Sequence, residues 1–146
     1  QLKGLVWETI LDFEYVFVMS RENPLVHKEQ IYFEDLEKCI EILHGDTVIP
    51  SLAHTDVLLQ QERSVDRCIY VYERGSQFDL LADEKNTFMW VSPLPKEILD
   101  RYHLFQKPCQ DYRRWMKDVY TYPKGYQKTS YETVFLDEVR KVAREI

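Results

Sequence analysis

The chain has 146 residues, of which 45% are hydrophobic and 30% charged, and its formal net charge is −6. That is long enough for one domain with a real core, and too balanced a composition for a disordered segment. No apolar run approaches a membrane span, because the longest candidate, around Tyr15–Met19, is broken by Glu14, Arg21 and Glu22. Three cysteines, Cys39, Cys68 and Cys109, are widely spaced and form no CxxC pair. Such usage argues against a disulfide framework or zinc ribbon and fits a reducing, intracellular compartment, cytoplasm or nucleus.

Leu5–Ile10 and Phe13–Met19 read as strands, the second with Phe13, Tyr15, Phe17 and Met19 on one face. Arg21-Glu22-Asn23-Pro24 is a turn, and Ile31–Phe33 a short third strand. The spacing of Leu36, Cys39, Ile40 and Leu43 predicts a helix over Asp35–His44, closed by Gly45. Cys68–Tyr72 alternates as a strand, Arg74-Gly75-Ser76 reads as a turn, and Gln77–Ala82 as the returning strand. Thr87–Val91 is a further strand. Strands joined by short turns predict an antiparallel sheet. Ser92-Pro93-Leu94-Pro95 ends the β part. Helical spacing then links Ile98, Tyr102 and Phe105, and again Tyr112, Trp115, Met116 and Val119, before a loop over Tyr120–Lys128. Thr129-x-x-Glu132 is a capping box opening a last helix over Ser130–Glu145.

The fold expected from these elements is α+β. It has an antiparallel sheet of about five strands, one intervening helix and a C-terminal helical segment. The chain reads as a single domain excised from a longer protein, β-rich over 1–92 and helical over 95–146. The expected core includes Trp7, Phe17, Leu36, Ile40, Ile69, Val71, Leu80, Trp90, Trp115 and Val139.

One stretch departs from the acidic background. Arg101–Lys128 carries seven of the twenty aromatic residues and seven Lys or Arg against two Asp, a local charge of +5. Aromatic and basic residues together suit docking, whether to a protein surface or to stacked bases and phosphates. The candidate binding residues are Arg113, Arg114, Lys117, Tyr120, Tyr122, Lys124, Tyr126 and Lys128. The bland alternative makes the helically spaced aromatics core and the charges a solvated face. His44, Asp46, His54 and Asp56 could furnish His and carboxylate ligands to a metal, although their spacing follows no ligand rhythm. Ser51 with His54, or Cys109 with His103, could be named as nucleophile and base, but neither lies in a nucleophile elbow. GxGxxG, P-loop and HExxH motifs are absent from the sequence.

The run CIYVYERGSQFDLLADEKNTFMWV resembles the later strands of pleckstrin-homology-like domains, and SPLPKEIL resembles the strand ending of Tudor-type domains. Both likenesses are short, and no functional residue carries over from either. The reading that follows is a non-enzymatic protein-interaction module of a larger intracellular protein, without a cofactor. The alternatives are a single-stranded RNA or nucleotide-recognition domain using 101–128, and a small metal-dependent hydrolase or nuclease.

Overall fold

A computed structural model describes residues 4–45 and 64–144. The chain falls into two compact units: unit 1 from residues 1–14 and 114–146, and unit 2 from the continuous middle, 15–113.

Unit 2 is built on a five-stranded sheet. Its strands are β2 (Val16–Ser20), β3 (Ile40–His44), β4 (Cys68–Val71), β5 (Thr87–Val91) and β6 (Leu104–Lys107), in the order β4-β3-β5-β2-β6. β3 runs parallel to β4 and β5, and β2 runs antiparallel to β5 and β6. The sheet is therefore mixed rather than purely antiparallel, with β2 alone opposing its four companions. Parallel neighbours need crossovers. The short α1 (Phe33–Leu36) precedes β3, α2 (Arg74–Asp83) joins β4 to β5, and α3 (Lys96–Arg101) joins β5 to β6.

This topology corrects several local expectations. The predicted helix over Asp35–His44 is divided between α1 and β3. The predicted return strand Gln77–Ala82 lies inside α2, so the likeness to a pleckstrin-homology meander does not hold. The stretch after Pro95 alternates between helix and strand instead of remaining helical.

Helices on the sheet leave both of its faces covered, as parallel strands require. Phe17 and Met19 enter one apolar cluster with Ile31, Leu36 and Phe88, while Val18 enters another with Ile42, Leu81, Met89 and Leu104. Two polar side chains are fixed inside. Asn23 donates to the Lys85 carbonyl (2.8 Å) and accepts the Leu25 N–H (2.9 Å). The Glu41 carboxylate accepts the Ser64 N–H (2.5 Å) and hydroxyl (3.0 Å), and Ser64 in turn accepts the Trp90 indole N–H (2.9 Å).

Unit 1 pairs β1 (Leu5–Glu14) with β7 (Trp115–Pro123) in an antiparallel ribbon, with a register shift between Thr9 and Leu11. The expected helical spacing of Tyr112–Val119 thus gives way to a strand. The predicted last helix is present as α4 (Ser130–Ala143). Its capping box is intact: Glu132 N–H donates to the Thr129 hydroxyl, and Thr129 N–H to the Glu132 carboxylate. Among the described residues of this unit, Phe13 and Leu136 are the buried apolar side chains. Trp7 and Trp115, expected in the core, are 46% and 70% exposed, and in unit 2 Ile69 is also exposed. A groove of about 360 Å³ runs between the ribbon and α4, lined by Ile10, Leu11, Phe135, Val139 and Val142. No helix among the described residues is long and apolar enough to cross a membrane.

Candidate functional site

In an open sheet with crossovers, ligands favour the crevice outside the carboxyl ends of the strands, where the order of connection reverses. Here that point lies between β3 and β5, since the chain steps from β3 outward to β4, returns past it to β5, and then continues the other way to β6. The carboxyl ends at this edge are His44–Gly45, Val71–Tyr72 and Val91. Gly45 is buried, and a Cβ there would lie 2.6–2.7 Å from the Tyr72 ring, so a larger residue requires that ring to shift. Tyr72 itself is 59% exposed.

α2 begins directly after Tyr72. Its N-cap is Glu73, whose carboxylate accepts the N–H groups of Gly75 (2.8 Å) and Ser76 (2.6 Å) and the Ser76 hydroxyl (2.8 Å). The Ser76 and Gly75 N–H bonds hold this carboxyl below the usual range. A helix N-terminus draws negative charge, and in this structure the chain's own carboxylate supplies it. One turn on, Gln77 is fully buried, and neither its Nε2 nor its Oε1 has a hydrogen-bond partner. Tyr72, Glu73 and Gln77 were not among the residues expected from the sequence. Glu is not a favoured N-cap residue, and Arg74-Gly75-Ser76 fits a hairpin turn as well as a first helical turn.

The basic and aromatic candidates lie elsewhere. Lys117, Tyr120 and Tyr122 are on β7, Lys124, Tyr126 and Lys128 follow it, and Arg113 and Arg114 precede it. Several answer to acids of unit 1 itself. Lys117 pairs with Asp12 (3.0 Å), and Tyr126 donates to Glu132 (2.7 Å). Glu8 is the hub, taking Lys128 (2.5 Å), the Tyr122 hydroxyl (2.6 Å) and Arg140 (2.7 Å). With Lys128 and Tyr122 bonded to it, its carboxyl is held at about 2. The Lys128 ammonium also lies 4.5 Å from the Tyr122 ring centre and 5.3 Å from that of Tyr120. Lys117, Tyr122, Tyr126 and Lys128 thus each meet a carboxylate of unit 1.

Of the four metal candidates, His44 ends β3, while Asp46, His54 and Asp56 lie outside the described residues, as does Ser51. No cluster of three or more His, Cys, Asp or Glu suited to a metal occurs among the described residues. All three cysteines are free thiols. Burial raises the Cys39 thiol and pushes Cys109 up to about 11, and Cys109 donates to Asp111 (3.4 Å) rather than meeting a base.

No protein-family model and no curated protein sequence matches the chain. Solved structures do. The regulatory domain of MetR, a LysR family regulator from N. meningitidis, superposes with a TM-score of 0.63 at 13% identity, over 99% of this chain and 67% of that one. The CcmR regulatory domain from Synechocystis PCC6803, in complex with 2-PG, gives 0.62 at 19% identity, over 100% and 71%. The effector-binding domain of QuiR, in complex with shikimate, gives 0.60 at 15%, over 99% and 68%. The chain thus spans about two-thirds of the length of these domains. The mixed five-stranded sheet and its helices give this chain the fold of the regulatory domains of LysR family regulators.

Proposed function

We propose that the chain is a non-enzymatic regulatory module of an intracellular regulator that binds a small-molecule effector at the carboxyl end of the unit 2 sheet. The observation that carries this is the reversal of strand order between β3 and β5, at the carboxyl ends that also carry Gly45 and, on the neighbouring β4, Tyr72 and the start of α2. The complexes of the CcmR and QuiR domains with 2-PG and shikimate support the ligand class. The partner moves accordingly from a protein or RNA docked on 101–128 to a small molecule. The internal pairing of Lys117, Tyr122, Tyr126 and Lys128 leaves the docking reading with less charge to offer.

The test is thermal denaturation and calorimetry of the chain against shikimate, 2-PG and a panel of small hydroxycarboxylates. A bound effector at a hundred times its Kd stabilises the fold by about 2.7 kcal/mol, a shift well above the noise of a melting curve. Gly45→Val, which drives a side chain into the Tyr72 ring, abolishes the shift while near-UV circular dichroism shows a retained fold. A ligand response untouched by Gly45→Val removes the site from this end of the sheet.

A further inference from the structure

We infer that the apolar groove of unit 1 seats an amphipathic helix with a basic residue beside its apolar stripe, supplied by the part of the regulatory fold that lies outside these 146 residues. Three observations converge on this occupant. The first is apolar surface. Phe135 and Val142 on α4 line the groove with Ile10, Leu11 and Val139, yet are 66% and 54% exposed. An apolar face of this kind marks a contact surface, and a channel between a ribbon and a helix receives another helix by its apolar stripe.

The second is charge. The groove is lined by two acids, Asp118 and Glu138, and by no Lys or Arg. Glu138 meets Lys141 in a pair open to solvent on both sides, which water screens. Asp118 makes no ion pair among the described residues. Acids at the edge of an apolar channel favour an occupant whose stripe is flanked by a cation. They disfavour a second copy on a twofold axis, because each copy would set Asp118 and Glu138 against the other's, and the net charge of −6 adds to that repulsion. The third is length. The chain covers 67% of the MetR regulatory domain and 68% of the QuiR domain, so about a third of that fold has no counterpart in it. A helix tethered to the same polypeptide reaches the groove at high effective concentration, ahead of free partners. The inference concerns unit 1 and holds whether or not the unit 2 sheet binds a small molecule.

The experiment places Val142→Asp and Asp118→Lys in the 146-residue chain and in the natural polypeptide that contains it, and follows thermal denaturation at several protein and salt concentrations. Both positions are exposed in the chain, so each variant there melts within about 2 °C of its parent. In the natural polypeptide Val142→Asp puts a charge beneath the seated helix and lowers Tm by about 5 °C or more, a loss of folding there alone being the largest such shift. Asp118→Lys lowers it by less, and the drop widens as salt is removed. Neither shift depends on protein concentration. If the natural polypeptide responds no more than the chain, or has no residues beyond it, the groove takes no helix from the same polypeptide and the inference falls. If the shift varies with protein concentration, a second copy fills the groove and the inference falls. If Val142→Asp acts and Asp118→Lys does not at any salt, the occupant carries no cation there, and the inference as stated falls as well.

Discussion

Unit 2 encloses Phe17, Met19, Phe88 and Leu104 completely, whereas unit 1 leaves Trp115 at 70% and Phe135 at 66% exposed. The two regions draw on the same kinds of residue, and the difference lies in layers. A five-stranded sheet with helices presents two faces to cover and covers both. A two-stranded ribbon with one helix has too few elements to enclose large side chains. Unit 1 adds directional bonds at its surface: the α4 capping box, the Glu8 hub and the Lys117–Asp12 pair. Hydrophobic burial dominates unit 2, while unit 1 combines a small apolar layer, Phe13 and Leu136, with exposed polar pairs.

Paired truncations test this division most sharply. Phe17→Ala costs about 3–5 kcal/mol in urea unfolding, and Phe135→Ala falls within about 0.5 kcal/mol of wild type. Equal costs would break the comparison outright. Asn23→Ala, which leaves the Lys85 carbonyl and the Leu25 N–H without their side-chain partner inside unit 2, loses about 1–3 kcal/mol in the same assay. Thr129→Ala removes the side-chain cap of α4 and costs about 1 kcal/mol, visible as faster amide exchange along α4 while β2 and β5 exchange as before.

The smallest effect is the pH response of Glu8. Its folded pKa, about 2, lies below the ordinary value of 4.5. Its contribution is therefore present above about 4.5 and is lost as pH falls toward 2. Glu8→Gln flattens the acid limb of stability across that window and leaves the neutral limb unchanged in slope. An unchanged acid limb would show that Lys128, Tyr122 and Arg140 do not hold the carboxylate in solution.

What was legible in the sequence follows the same division between local and distant causes. Thr129-x-x-Glu132 is a signal complete within four residues, and α4 starts where it predicts. Thr87–Val91 is a strand with the predicted bounds. The α+β class follows from such elements. Parallel pairing is not written locally. Ile40–His44 lies between two parallel strands, so it lacks a clean alternation, and the buried Glu41 disguises it further. Leu36, Cys39, Ile40 and Leu43 match a helical period although a turn intervenes. Trp115–Pro123 has exposed residues on both of its faces, which removes the alternation that identifies a strand. The candidate site was illegible for a related reason. Gln77 stands out only through its burial, and the packing of α2 against β2 and β5 is set by topology rather than spacing.

The lone reversed strand also sets an order of events on the ribosome. β2 is the second strand to be synthesised, yet its partners are Thr87–Val91 and Leu104–Lys107, and Leu5 waits for Pro123. Val16–Met19 therefore leaves the exit tunnel as an unpaired apolar strand with no short-range partner. β3 and β4 can meet first, but the centre of the sheet closes only when residue 91 is free, and the β6 edge only when residue 107 is. Such long-range pairing is slow and leaves sticky edges exposed while it waits. For this chain, the interval from residue 20 to residue 91 is the time during which that strand waits for its first sheet partner.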